Sequence, residues 1–431
     1  MGLLIGAGVI YGAVSAGYIA GSTVTVGGGV STTTVTVGGG GLSGNVPIGV
    51  LTDLSGQLKS EGVRVAYAAQ MAANDVDAML RAAGNTKVNF TVSIQDYALD
   101  NTKALSVMNT FKTAGIQVVV GPLNSGTAGA ILQFADSNRI VLISPSSTSP
   151  ALAIPNDYLF RTAPNDAAQG LADAREMAQS GVTAVIIVYR DDTYGAGLAN
   201  ATAARFVQLG GHVVDKIPYD TSTSDFTAVL TKMQSDYQSA SSTYGAGKVA
   251  IFAITFEEIG NMLLQANSNF QSLLNTAQPW YGTDGQAEDT VLTGNSTVGP
   301  LMAKIRMDAT LYSSFNSTKT QVFCNAFTSK YHQPCDSYVQ GGYDDTWLAA
   351  LSILAAGANN GQAIQQVLPY VANAFYGVTG WMALQPSGDR VPANGYDIWK
   401  VVLQNNTPTW ILAGHWDQTS DKVTWAIPNP P

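Results

Sequence analysis

The chain has 431 residues, which at roughly 100–200 per domain allows two to four domains and a sizeable buried core. Hydrophobic residues make up 46%, but charged residues only 12%, against roughly 25% in an ordinary globular domain. The 30 acidic and 21 basic side chains give a formal net charge of -9, and there is no basic run, so the cationic footprint of a nucleic-acid binder is missing and polyanionic cofactors are poor candidates.

The first charged residue is Asp53. Before it, Leu3 to Ala20 forms an uncharged, largely apolar run of 18 residues, at the lower edge of the roughly 17–25 that span a bilayer. No basic stretch precedes it, as a secretory leader would have, and no cysteine is near for lipidation. Residues 1–21 are therefore expected to be a retained membrane anchor or an assembly element, with a processed hydrophobic leader as the alternative. Residues 22–45 contain TVTVGGG twice, starting at Thr23 and Thr34. Thr-Val alternation favours short strands, and triple glycine breaks them, so this segment reads as a spacer. The sharper alternative is that these strands add to the sheet edge of another copy and build a filament or surface layer.

From Val46 the pattern becomes strand then helix, repeatedly. VPIGVLTDL is an apolar strand, and Val63 to Ala83 a helix with Val65, Ala69, Ala72, Val76 and Met79/Leu80 on one face. Strands follow at 88–94, 116–122 and 139–145, with helices at Thr102 to Thr113 and Gly126 to Asp136. The alternation resumes with a helix at Asp166 to Gln179, a strand at 182–189, a helix at Gly197 to Leu209 and a strand at 212–219. A helix at Asp225 to Tyr237 comes next, capped at Thr223/Ser224, then a strand at 248–254, a helix at Glu257 to Ala266 and a closing stretch at 278–284. A strong helix covers Asp345 to Ala356, with Tyr343, Asp344 and Asp345 read as its cap or as site residues. Continuously apolar strands separated by helices imply α/β architecture, with two mainly parallel sheets covered on both faces.

Ligands of such sheets bind beyond the C-terminal ends of the strands. The turns there are 53–62, 121–129, 144–150, 189–197 and 255–258, rich in hydroxyls, glycines and a few charges. They suit hydrogen-bonded binding rather than catalysis. The chain has no GxSxG with triad partners, no HExxH and no GxxxxGK[ST]. His212, His332 and His415 have no metal-ligand spacing, so neither metal nor cofactor is expected and the chain reads as no enzyme. Cys324 and Cys335 close a small loop, most simply as a disulfide in an exported protein. Sequons begin at Asn89, Asn200, Asn295, Asn316 and Asn405, compatible with a glycoprotein of the outer surface.

Several pieces resemble, in order, the type I periplasmic solute-binding proteins of ABC importers, in the branch that takes leucine, isoleucine and valine or related amides. They include PIGVLTDLSG (47–56), VVVGPLNSGTAGAI (118–131), IVLISPSSTSPAL (140–152) and YLFRTAPND (158–166). YRDDTYGAGLA (189–199), IFAITFEEIGNMLLQA (251–266), GGYDDTW (341–347) and GVTGWMALQPSGDR (377–390) complete the series. The resemblance implies two Rossmann-like lobes, residues 46–161 with 285–380 and residues 162–284 with 381–431, holding a solute between them for an ABC permease. It implies ligand contacts at Ser125, Gly126, Thr127, Ser146, Ser147, Thr148 and Tyr194, and an ammonium acceptor at Glu258. Arg161 is expected to support a crossover rather than touch ligand. Partners are then a small amino acid or amide, the permease, and either the membrane through residues 3–20 or further copies of the chain. The location implied is the extracellular face of the membrane or the cell surface, anchored by the N-terminal segment. The first loop, GQLKSEG, carries Lys59 and Glu61 where some amino-acid receptors have a bulky aromatic.

Overall fold

The computed structural model describes residues 23–28, 31–36, 41–392 and 395–427. The expected anchor, residues 1–21, lies outside them. Among the described residues, no helix is long and apolar enough to cross a membrane. The chain divides into two compact units. Unit 1 holds the residues up to Ser147, Ala153–Ala163 and Ser314–Val391; unit 2 holds Thr148–Leu152, Pro164–Ser313 and the chain from Pro392 onward.

At the start, β1 (Thr23–Gly28) and β2 (Ser31–Thr36) form an antiparallel pair, in register from Thr23 opposite Thr36 to Gly28 opposite Ser31. The first repeat of the spacer thus pairs with the Thr-rich run that leads into the second. The sheet of unit 1 follows: β3 (Gly44–Thr52), β4 (Val88–Asp96), β5 (Val118–Val120), β6 (Val141–Ser144) and β7 (Leu159–Arg161). Its order is β4-β3-β5-β6-β7 and every pairing is parallel. The central strands β5 and β6 are buried throughout, which is why their sequences are unbroken apolar runs rather than alternating ones. Between the strands run α1 (Lys59–Ala82), α2 (Asn101–Thr113) and α3 (Ser125–Asn138). Helix α1 buries Val65, Ala69, Ala72, Val76 and Leu80, the stripe read from the sequence, but begins at Lys59 rather than Val63. That early start needs glycine at position 62. A Cβ there would lie 1.8 Å from the Asp53 carbonyl oxygen.

Unit 2 begins its helices with α4 (Asp166–Gln179) and continues with β8 (Ala184–Arg190), α5 (Thr193–Gln208), β9 (His212–Tyr219) and α6 (Thr227–Tyr244). Next come β10 (Val249–Ile254), α7 (Ile259–Asn269), β11 (Trp280–Gly282), α8 (Thr290–Gly294), α9 (Val298–Lys304) and β12 (Asp308–Tyr312). Helix α5 starts four residues before the expected Gly197, because the Asp192 carboxylate accepts the Gly195 N–H and caps it. Helix α6 has no cap at Thr223/Ser224. The Asp225 side chain accepts the Thr227 N–H instead, and the Ser224 carbonyl receives Asn261 and Gln265.

The chain then adds α10 (Thr318–Tyr331), α11 (Ser337–Ala356), α12 (Gly361–Ala374), β13 (Tyr376–Gly377) and β14 (Gly380–Trp381) to unit 1. Helix α11 is capped by Asp336, whose side chain accepts the Val339 N–H. Asp344 and Asp345 are therefore no cap: both lie mid-helix and fully buried. Asp344 accepts the N–H groups of Val378 and Thr379 and the Thr379 hydroxyl, pinning the β13–β14 turn. Unit 2 finishes with β15 (Tyr396–Gln404), β16 (Thr407–Asp417) and β17 (Lys422–Trp425). Its sheet has the order β17-β16-β15-β12-β11-β10-β8-β9, parallel from β9 to β12 and antiparallel beyond. The hairpin between β15 and β16 turns on Asn405 and Asn406, at φ of 51° and 64°. Positive φ at both central residues is the tight turn whose twist suits an antiparallel pair, and asparagine tolerates it.

The unit boundaries differ from the lobes read in the sequence. Residues 285–313 stay with unit 2, because β12 extends its sheet beside β11. Residues 381–391 stay with unit 1, where Asp389 meets Arg161 at 2.7 Å. Both side chains of that pair are at most 2% exposed. Arg161→Met would strand the Asp389 carboxylate and is expected to cost about 3–5 kcal/mol of stability, read by urea denaturation. The disulfide joins Cys324 to Cys335 across α10 and the loop after it. A closed loop of this length restricts the unfolded chain by about 3 kcal/mol, so reduction should lower the urea midpoint of the folded chain, and an unchanged midpoint would contradict it.

Candidate functional site

In unit 1 the strand ends are laced to one another by side chains. After β3, buried Asp53 accepts N–H groups from Ser55, Gly56 and Leu58 at 3.2, 2.6 and 2.8 Å. Burial pushes its pKa up against the pull of those bonds. Glu61 is buried and Lys59 exposed, so only one of the two charges of this loop faces the interior. After β4, the Tyr97 hydroxyl donates to Asn124 at 2.8 Å and Asn101 accepts the Thr127 hydroxyl at 2.8 Å. After β5, the Ser144 and Ser146 hydroxyls reach back to the carbonyls of Pro122 and Leu123, at 2.6 and 3.1 Å.

Ser125, Gly126 and Thr127 open α3, behind Asn124 as N-cap. The N–H groups at such positions have no intrahelical acceptor, and the helix dipole favours an anion. The expected hydroxyl donors fare differently. Thr127 and Ser146 each commit their single proton to a protein acceptor. Ser147 donates its N–H to the Ser144 hydroxyl and its carbonyl accepts Arg161, while its own buried hydroxyl has no hydrogen-bond partner among the described residues. Thr148 falls in unit 2, where its carbonyl accepts the Asp166 N–H at 2.8 Å.

In unit 2, Tyr194 is 3% exposed and stands in the first turn of α5. Its hydroxyl meets Asp284 at 2.6 Å and Thr283 at 2.7 Å. Gln169 donates to the same Asp284 oxygen at 2.9 Å and to Thr310 at 3.0 Å, and Thr310 donates on to Asp173. Burial, and then the Asp284 and Asp166 carboxylates, push the Tyr194 pKa well above its ordinary value, so it remains a donor. Glu258 sits elsewhere. One oxygen accepts Arg190 and the Tyr219 hydroxyl, each at 2.8 Å, and the other accepts the Phe256 N–H at 3.0 Å. The carboxylate that Tyr194 meets is thus Asp284, the last residue of the stretch 278–284. Its signal was present: an acid two residues beyond the end of a short buried strand. Gln169, Phe256 and Arg190 were missed as well. Burial disfavours the Arg190 guanidinium, but Glu258 and Asp192 outweigh it and raise its pKa further.

Among the described residues, this arrangement sets no nucleophile against a base. Among the described residues, no group of three or more His, Cys, Asp or Glu is placed to hold a metal. Two mainly parallel sheets with polar turns at their C-terminal strand ends are the fold of the type I periplasmic class. The sequence matches the periplasmic binding protein family over residues 45–402, and the chain belongs to that family. It is a binding protein of an extracytoplasmic class, not an enzyme. It is 26% identical over 398 residues to an uncharacterized protein of Methanocaldococcus jannaschii, covering 88% of this chain and 91% of that one. The leucine-, isoleucine-, valine-, threonine-, and alanine-binding protein of Pseudomonas aeruginosa is 25% identical over 300 residues, 69% of this chain and 74% of its own. The substrate-binding protein LivJ of Streptococcus pneumoniae, in complex with isoleucine, superposes with a TM-score of 0.68 at 24% identity, covering 86% of this chain and 99% of LivJ. At that identity the superposition speaks for the fold.

Proposed function

We propose that the chain captures a small amino acid, or a related amide, and hands it to the permease of an ABC importer. The observation that carries this reading is Asp284 in unit 2, a buried carboxylate that accepts the Tyr194 hydroxyl and the Gln169 amide. A carboxylate held so is matched by an ammonium group. In unit 1, the N–H groups that open α3 at Ser125, Gly126 and Thr127 suit a carboxylate. Ser146 and Glu258 act one step removed, shaping the turns that present these groups. The Pseudomonas and Streptococcus proteins, by their names, serve leucine, isoleucine and similar solutes. Calorimetric titration with the common amino acids, small amides and neutral sugars tests the reading. Micromolar binding of an aliphatic amino acid supports it, and binding of a sugar alone sinks it.

The reading extends to location. Residues 3–20, uncharged throughout, hold the chain at the outer face of the membrane. Deleting residues 1–22 should move the chain from the membrane fraction into the soluble fraction. A full-length chain that is already soluble without detergent would refute this.

A further inference from the structure

Arg190 is the last residue of β8, 3% exposed, and has two carboxylate partners. Its Nε meets Asp192, the N-cap of α5, at 2.6 Å. Its Nη1 meets Glu258, the N-cap residue of α7, at 2.8 Å. Its guanidinium lies 3.7 Å from the centre of the Phe256 ring, and that ring stacks on Tyr194 with centroids 5.3 Å apart and planes within 17°. Glu258 in turn holds the Phe256 backbone N–H.

One side chain thus ties together the turns after β8 and β10 and backs the aromatic stack that ends at the Tyr194 hydroxyl. We infer that Arg190 is a positioning residue for ammonium recognition: it fixes Phe256 against Tyr194 and so sets the Tyr194 hydroxyl on Asp284. This rests on the proposed role of Asp284. Lysine cannot do the same work. It has one ammonium in place of a planar fork, so it cannot reach both carboxylates while lying flat on a ring.

The test is Arg190→Lys, with Arg190→Met/Glu258→Gln as a charge-balanced companion should the lysine variant fold poorly. A crystal structure of the variant reads the geometry without any ligand. The expected result is a Phe256 ring shifted off Tyr194 and a lengthened Tyr194–Asp284 contact; a stack and contact unchanged from the parent overturn the inference. Titration reads the consequence, with L-leucine and its deaminated analogue 4-methylpentanoate as probes. Affinity for leucine should fall at least about tenfold, with the analogue changed by less than about threefold. Equal losses for both probes would mark a merely structural residue and overturn the inference, as would an unchanged leucine affinity. If the parent chain binds neither probe, the amino-acid reading fails, and the crystal comparison alone decides whether Arg190 positions Tyr194.

Discussion

Asp284→Asn is expected to weaken L-leucine binding by about 10- to 150-fold, the worth of one charge-assisted hydrogen bond of about 1.5–3 kcal/mol. The substitution keeps an oxygen for Tyr194 and Gln169, which now approach Asp284 at 2.6 and 2.9 Å. It removes the negative charge and little else, so the fold should persist. Calorimetry on parent and variant measures the change, with circular dichroism confirming the fold. Tyr194→Phe should cost less, since Gln169 still orients the carboxylate. An affinity unchanged in the asparagine variant would remove Asp284 from ligand recognition and reopen the question for Glu258.

Stability should peak in mild acid rather than at neutral pH. Burial pushes Asp157 up to about 7. Burial likewise takes Asp308 to about 7, although Lys400 stands 3.2 Å away and opposes it. Burial also holds Asp173 and Glu176 well above the usual carboxylate range. Each of these groups binds its proton more tightly folded than unfolded. Their contribution is complete below the unfolded pKa near 4 and is lost as pH rises through the raised folded pKa, about 7 for Asp157 and Asp308, each tenfold tightening of proton binding being worth roughly 1.4 kcal/mol. Asp96 runs the other way. Burial would raise it, but Lys103, the Leu54 and Ala98 N–H groups and the Ser55 hydroxyl bring it to about 2. Its contribution is present above pH 4 and lost only in strong acid. The melting temperature is therefore expected to be highest near pH 4–5 and to decline toward pH 8. Asp157→Asn, which keeps the Leu159 N–H acceptor, should flatten the neutral limb. A melting temperature that climbs steadily from pH 4 to 8 would be incompatible with this account. The scarcity of charge, 12% of the chain, fits a surface that depends little on ionised side chains.

Local periodicity reported much of the fold correctly. Unbroken apolar runs such as Val118–Val120 and the stripe on α1 show which faces are buried, and burial on both faces is what a covered parallel sheet requires. The antiparallel end of the unit 2 sheet is marked in the sequence by Asn405-Asn406 between two apolar stretches, where the strand-helix alternation has ended. Helix starts were read late wherever a side chain several residues upstream supplies the cap, as Asp192 and Asp336 do. The buried pair of Arg161 and Asp389 spans 228 residues and leaves no local trace.

Polar turns at the strand ends are legible in the sequence, because strand, turn and helix are set by neighbours within a few residues. Which acid meets Tyr194 follows from long-range packing. Glu258 follows β10 and Asp284 follows β11, and both are acids at the C-terminal end of an apolar strand. The sheet order β11-β10-β8 puts Tyr194, after β8, within reach of either turn. Arg190 engages Glu258, and Asp284, 90 residues from Tyr194 along the chain, meets its hydroxyl. Which of two like carboxylates a hydroxyl meets depends on how distant strands bring their turns together, and no pattern along the chain records that distance.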